Sequence, residues 1–97
     1  MLRLGKMNID DIPVIKDDVR GKIYRCEPVN YIVRRKGSIS ADHTHEEAEQ
    51  LYLIEGEVEL TIGEETTRVK APKMFHVPEN VYHKLVALTD IKLIRGT

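Results

Sequence analysis

The alternation of apolar and polar residues is the strongest local pattern in this chain. Between residues 57 and 62, glutamate or threonine at the odd positions alternates with valine, leucine or isoleucine at the even positions, which is the period of a strand with one buried face. Seven further segments rich in β-branched, aromatic or aliphatic residues are predicted as strands: 22–26, 30–35, 50–55, 66–69, 74–77, 83–88 and 91–95. Glycine and proline turns separate the strands, and no apolar stripe of helical spacing extends beyond a single turn. The pattern predicts an all-β barrel or sandwich.

The first 20 residues do not share this pattern. Apolar residues between positions 8 and 18 fit neither a strand nor a helix period, and Pro13 opposes a helix through the segment. We therefore predict an N-terminal arm over residues 1–20, with at most one short edge strand, followed by a single barrel domain over residues 21–97. A chain of 97 residues is long enough for one hydrophobic core and too short for two.

Charge and cysteine content argue against several partners and locations. With 15 Lys and Arg against 16 Asp and Glu, the net charge is -1, so the composition does not favour binding to nucleic acid. The single cysteine, Cys26, cannot form an intramolecular disulfide, which favours a reducing compartment and predicts the cytoplasm. No apolar run has the length of a signal-peptide core or of the roughly 20 residues that span a bilayer, so we expect neither a signal peptide nor a membrane segment.

Histidine and glutamate residues in the middle of the chain indicate a metal site. His43 and His45 are separated by one residue, so on an extended strand both imidazoles project from the same face. Glu49 follows an acidic stretch that can bend the chain, and His83 joins the site only if the sheet closes on itself. Imidazole and carboxylate ligands suit divalent Fe, Mn, Ni, Co, Zn or Cu and offer too few oxygens for Ca. A lone His-x-His motif is also common in surface loops, so the motif alone does not distinguish a metal site from incidental surface histidines.

The spacing of these residues resembles the first signature of the cupin superfamily. Gly37, five residues, His43, one residue, His45, three residues, Glu49, six residues and Gly56 follow that signature without a gap.

The second cupin signature is matched in part. Only Pro78 and His83 match outright, because Pro72 and Asn80 stand where the signature has glycines and Ala87 stands where it has asparagine. Asparagine tolerates the left-handed backbone conformation that such a turn requires, whereas Pro72 demands a turn of another shape. Alanine at position 87 removes a polar group but leaves the candidate ligands intact.

Resemblance to cupins over roughly residues 30–95 implies a double-stranded β-helix, or jelly-roll barrel. One divalent transition metal ion would lie at its wide end, held by His43, His45, Glu49 and His83. The resemblance implies no single reaction, since cupins with this ligand set include dioxygenases, isomerases and decarboxylases beside proteins that only bind a small molecule.

The leading functional hypothesis is a metal-dependent enzyme of isomerase or dioxygenase type. Its substrate would be a small oxygen-rich metabolite, such as a sugar acid, keto acid or diol, that chelates the ion through two oxygens. The alternatives are a non-catalytic small-molecule binding module that uses the same metal site, and a structural β-sandwich with incidental histidines.

Several assignments stay open at this level. His76 faces either the barrel interior, where it is a weak candidate for a catalytic acid or base, or the outer surface. Tyr31, Tyr52 and Tyr82 could pack in the fold, enter the pocket or form a dimer surface.

Two predictions concern packing. The hydrophobic core is expected to comprise Leu51, Leu53, Val58, Leu60, Ile62, Val77 and Leu85. A homodimer is expected because strand 22–26 would leave an unpaired edge that carries Ile23 and Tyr24, and exposed edges are usually covered or paired. Small single-domain cupins are also commonly homodimers.

Overall fold

The computed structural model describes residues 9–96 of the chain, apart from the side chains of residues 41 and 42. These residues form ten strands and no helix, so the described part of the chain contains no helix that could cross a membrane. The strands are β1 (Val14–Asp18), β2 (Gly21–Cys26), β3 (Val29–Arg34), β4 (Ile39–Thr44), β5 (Glu49–Glu55), β6 (Glu57–Ile62), β7 (Glu65–Lys70), β8 (Lys73–Val77), β9 (Tyr82–Ala87) and β10 (Ile91–Gly96).

The strands form two antiparallel sheets. The first has six strands in the order β1-β2-β3-β10-β5-β8, and the second has four in the order β4-β9-β6-β7. Four pairings are nested, namely β3 with β10, β4 with β9, β5 with β8 and β6 with β7. Successive nested pairs alternate between the two sheets, which is the topology of a jelly roll. The predicted all-β jelly-roll fold is confirmed.

The eight strands predicted from residue pattern are all present, each with ends within one residue of the prediction. Two strands lie outside these eight. β1 lies inside the segment predicted as an arm and pairs with β2 at the edge of the six-stranded sheet. β4 has the sequence Ile-Ser-Ala-Asp-His-Thr, which lacks regular apolar alternation, so its strand character comes from pairing with β9. The division into an arm over 1–20 and a barrel domain over 21–97 stays a prediction, and residues 1–8 lie outside the described residues.

The expected free edge at strand 22–26 is wrong. β2 pairs with β1 on one side and with β3 on the other. Ile23 is therefore 6% exposed and belongs to the core. Tyr24 faces outward and packs against Tyr31, with ring centroids 5.6 Å apart. The homodimer stays a prediction, but it has to rest on a different surface.

The core lies between the two sheets and agrees closely with the sequence prediction. Every predicted core residue is buried except Ile62, which is partly buried and packs against the cluster. Five further residues complete the cluster: Ile23, Ile32, Ala87, Ile91 and Leu93. Leu53 and Val58 are both 0% exposed and come from opposite sheets, so the sheets are joined by direct apolar contact.

Two turns between the strands depend on backbone conformations that few residues adopt. Gly56, between β5 and β6, has a φ of 98°, and a Cβ at this position would overlap the carbonyl oxygen of Asp90, so only glycine fits. Asn80, in the turn before β9, has a φ of 58°. This left-handed conformation is the one predicted for asparagine in the second signature.

Candidate metal centre

Pairing of β4 with β9 brings together two candidate ligands that are distant in sequence. His43 lies opposite His83 in the antiparallel register, and the register shifts between Ser40 and His43. Such irregularities re-aim side chains and are frequent beside active sites. His45 lies one residue beyond the end of β4, so the expectation that both histidines lie on one strand holds only for His43.

The three imidazoles nevertheless converge. One ligand atom of each of His43, His45 and His83 lies within 4.8 Å of the other two. The Nε2 atoms of His43 and His45 are 2.6 Å apart. The ring of His45 stacks on that of His83 with centroids 5.0 Å apart. The predicted grouping of these three histidines is therefore present in the structure.

Glu49 reaches the cluster from the other sheet. It is the first residue of β5 in the six-stranded sheet, after a bend at residues 46 and 47. Its Oε1 atom lies 2.9 Å from Nε2 of His45, and the residue is only 8% exposed. The carboxylate thus contacts His45 at the place where the two sheets close on each other, whereas the group whose ligand atoms all lie within 4.8 Å of one another comprises the three histidines.

A shared cation explains the positions of the donor atoms better than hydrogen bonds between them do. Nε2 of His45 lies close to both Nε2 of His43 and Oε1 of Glu49, yet a single ring N–H cannot donate to two acceptors with good geometry. Two ligands bound at about 2.1 Å and at right angles would stand about 3.0 Å apart. The His43–His45 and His45–Glu49 distances are close to this value, as expected for atoms that bind one metal ion. The position of the fourth donor atom supports the same interpretation.

That fourth donor is Nε2 of His83. His83 is 2% exposed, and this nitrogen is buried without a hydrogen-bond partner among the described residues. Its Nδ1 lies 3.2 Å from the carbonyl oxygen of Val81, so Nδ1 carries the proton and donates it. Nε2 then presents a lone pair to the cluster, in the arrangement usual for histidine ligands. A buried unpaired acceptor is costly, and a metal ion would remove the cost.

The cluster is open to solvent on one side and to a cavity on the other. His43 is exposed and His45 is half-buried, whereas Glu49 and His83 are buried. The cavity of about 160 Å³ is lined by residues of both sheets. Its apolar wall comprises Ile23, Ile32, Leu51, Leu60, Leu85 and Leu93. A small molecule in this space could therefore contact the cluster while its other atoms are shielded from water.

Four cationic side chains also line this cavity: Lys16, Arg20, Arg34 and Arg95. Sequence analysis did not identify them as functional residues. Arg34 shares strand parity with Ile32, and the burial of Ile32 places the charge of Arg34 on the inward face, which the strand pattern alone did not show. Burial lowers the pKa of the Arg34 guanidinium from its usual value, and the nearby charge of Arg20 lowers it further.

The remaining candidates lie elsewhere. His76 is exposed on β8, and its Nδ1 lies 3.3 Å from Oε1 of Gln50 on the neighbouring strand. It does not line the cavity. Of the barrel interior and the outer surface, His76 therefore lies on the outer surface. Tyr31, Tyr52 and Tyr82 do not line the cavity either.

A family model of the cupin domain matches residues 31–94, a range that contains all four candidate ligands. The chain belongs to the cupin family. Jelly-roll topology and the position of the histidine cluster between the sheets agree with this assignment. No curated protein matches this cupin.

Solved structures extend the likeness. A RmlC-like cupin from Shewanella frigidimarina matches with a TM-score of 0.72 and 23% identity, covering 87% of this chain and 80% of that chain. KdgF from Halomonas sp. matches with a TM-score of 0.72 and 22% identity, covering 86% of this chain and 82% of that chain. These two show the shared fold.

A third similar structure is an enzyme by its name. Salicylate 1,2-dioxygenase from Pseudaminobacter salicylatoxidans matches with a TM-score of 0.65 and 25% identity, covering 75% of this chain. This cupin spans only 20% of the length of the dioxygenase chain.

Proposed function

We propose that this cupin is a metal-dependent enzyme that acts on a small oxygen-rich metabolite, of the sugar acid, keto acid or diol class, by an isomerase or dioxygenase type of reaction. The observation that carries the proposal is the buried Nε2 of His83, which has no hydrogen-bond partner among the described residues, beside the converging donors of His43 and His45. Such an atom has no role in packing and a clear role as a ligand.

The proposed ligands are His43, His45, Glu49 and His83. Three imidazoles and a carboxylate suit one divalent ion of Fe, Mn, Ni, Co, Zn or Cu. When bound, the ion would supply Lewis acidity and positions for substrate oxygens. His83 is held in its tautomer by the Val81 carbonyl. Glu49, at 2.9 Å from Nε2 of His45, is the group that could exchange between a ligand role and a proton-accepting role.

The cavity supports action on a small molecule. Its apolar wall excludes water from whatever part of the substrate lies next to the cluster, and low local polarity strengthens the electrostatic interactions made there. The volume of about 160 Å³ is well above the roughly 10–15 Å³ that a cavity needs to hold one water, so a molecule of several non-hydrogen atoms can enter.

A non-catalytic binding module is the second candidate, and one observation favours it. Apart from the proposed ligands, the cavity lining contains no imidazole and no carboxylate among the described residues. Proton transfer during turnover would therefore depend on Glu49, on a cavity lysine or on the bound molecule itself.

One experiment decides between these functions. Protein purified without a His tag or chelating resin is analysed for bound metal, then loaded with Fe(II), Mn(II), Ni(II) or Zn(II) and incubated with sugar acids, keto acids and diols. Metal-dependent product formation supports the enzyme. Metal-dependent binding without product supports the binding module, and absence of stoichiometric metal under all loading conditions rejects both.

A further inference from the structure

Arg34 is the one arginine of the described residues that belongs to the buried set. It is 6% exposed and lies on β3, in the lining of the cavity that also contains the histidine cluster. Its Nε donates to the Ser40 hydroxyl at 3.2 Å and one terminal nitrogen donates to its neighbour's carbonyl, Val33 O, at 3.3 Å. Both acceptors are neutral and both bonds are long, and no other group of the described residues accepts from its five N–H donors.

No carboxylate of the described residues forms an ion pair with Arg34. Asp18 acts on it only through space, because its carboxylate is bound by Arg20 at 2.9 Å. Hydrogen bonds from Arg20 lower the pKa of Asp18 to about 2. Arg34 thus carries a buried positive charge with no ion-pair partner among the described residues, which is costly for a fold to maintain.

A purely structural role does not account for this charge. A neutral side chain could satisfy Ser40 and the Val33 carbonyl without the cost of burying a guanidinium. The neighbouring Arg20 and Arg95 raise that cost, since like charges in one cavity repel each other. The same group of charges creates a positive potential that attracts an anion.

We propose that Arg34 binds an anionic oxygen group, a carboxylate or a phosphate, on the small molecule whose other oxygens face the metal centre. The inference rests on the proposed function and adds to it a distal anionic group, separate from the oxygens that chelate the ion. A guanidinium matches such groups because two of its parallel N–H bonds can donate to two oxygens at once.

The topology sets the approximate length of this molecule. Ser40, which contacts Arg34, lies opposite Leu85, and His43 lies opposite His83. Leu85 and His83 are two residues apart on β9. The part of the cavity near Ser40 and Arg34 is therefore about 7 Å along the strand from the part near the histidine cluster. A chain of about four to six atoms between the chelating oxygens and the anionic group would span this distance.

Matched pairs of probes test the inference by calorimetric titration of metal-loaded protein. 2-Hydroxyglutarate and 2-hydroxypentanoate share a chelating head and differ in the distal carboxylate. 3-Phosphoglycerate and glycerate differ in a distal phosphate. We expect at least one anionic probe to bind about 10- to 100-fold more tightly than its partner, as hydrogen bonds between charged groups allow. The pair that shows the preference identifies the anion as a carboxylate or a phosphate.

Three variants test whether Arg34 causes the preference for the anionic probe. Arg34→Met should abolish it, and Arg34→Lys should retain part of it. Arg25→Met removes the same charge from an exposed position on β2 and should leave the preference unchanged. Ligand-free Arg34→Met should melt at or above the temperature of the unmodified protein, because a buried unpaired charge has been removed. An equal affinity within both pairs, no binding of any probe, or a preference that survives in Arg34→Met would overturn the proposal.

Failure of this inference can be distinguished from failure of the proposed function. Metal content is measured on every sample, and loss of metal in the unmodified protein counts only against the proposed function. Glutarate and pentanoate, which lack the chelating hydroxyl, are then compared on metal-free protein. Preference for glutarate that depends on Arg34 supports the anion site by itself. Absence of that preference in metal-free protein, together with equal affinity within both probe pairs on metal-loaded protein, rejects it.

Discussion

His43 on β4 lies directly opposite His83 on β9, with ring centroids 5.5 Å apart. His43 belongs to the first cupin signature and His83 to the second, so the pairing of β4 with β9 brings the two signatures together. His83 is buried and His43 is exposed, so the proposed metal centre extends from the interior of the jelly roll to its surface.

Loss of a proposed ligand should abolish metal binding. We expect about one equivalent of a first-row transition metal in the unmodified protein, and a loss of affinity greater than about a hundredfold in His45→Ala and His83→Ala, because changes beyond the ligands already cost 10–100-fold. Elemental analysis and competition with a chromogenic chelator measure both quantities.

His76→Ala is the matched control for these variants. It removes an imidazole from the outer face of β8 and should leave metal content unchanged. Equal metal content in the unmodified protein, His45→Ala and His83→Ala would disprove the ligand assignment.

Metal affinity should fall in weakly acidic solution. Imidazoles bind a metal only when neutral, so protons compete for the same nitrogen atoms below about pH 6. Each histidine that becomes protonated should weaken binding by up to about tenfold per pH unit. Titrations with Zn(II) or Ni(II) between pH 5 and pH 8 give the slope, and a constant affinity over this range would contradict histidine ligation.

Removal of the metal should lower thermal stability without unfolding the protein. An ion that binds only the folded state adds about 3 kcal/mol to the free energy of unfolding when its free concentration is 100 times the dissociation constant. In a domain of this size, that corresponds to a rise of about 10–20 °C in the melting temperature. We expect the circular dichroism of the β fold to persist at room temperature after chelation. Unfolding by chelator at room temperature would instead assign the metal a structural role.

The core should account for most of the stability. Leu53 is 0% exposed, and Leu53→Ala should destabilise the protein by about 2–5 kcal/mol through lost burial and a cavity. The adjacent Ile54 is 50% exposed, and Ile54→Ala should change stability by less than about 0.5 kcal/mol. Urea unfolding of both variants measures the difference, and similar losses would contradict the assignment of faces on β5.

A homodimer should form through the outer face of the six-stranded sheet. Cross-strand pairing aligns Met74, Tyr52, Ile94, Tyr31 and Tyr24 into one row across the sheet. Met74 is 68% and Tyr52 is 38% exposed, and contiguous exposed apolar side chains are typical of interaction surfaces. We expect sedimentation at micromolar concentration to give a dimer that Tyr52→Glu converts to monomer.

Thr67→Glu serves as the control for this interface. It adds the same charge to an exposed position on β7 of the four-stranded sheet and should leave the dimer intact. Only monomer in the unmodified protein, or dissociation by Thr67→Glu alone, would contradict the interface.

Local pattern determined a large part of this fold. The alternation at 57–62 and the short apolar segments predicted eight strands, because the side-chain period of a strand is visible in adjacent residues. Turn chemistry was equally local, as Gly56 and Asn80 show by their positive φ angles. The spacing of histidines and Glu49 identified the candidate ligands before any strand pairing was known.

Tertiary structure decided what depends on residues far apart in the chain. Strand periodicity defines two faces but does not say which face closes onto the opposite sheet, so the outward position of His76 and the buried charge of Arg34 emerged only with the complete pairing. The same holds for β2, which appeared as an edge until β1 was found beside it. Sequence spacing therefore named the metal-binding candidates, whereas closure of the jelly roll determined which other side chains share their cavity, since that closure joins strands through contacts that no local pattern encodes.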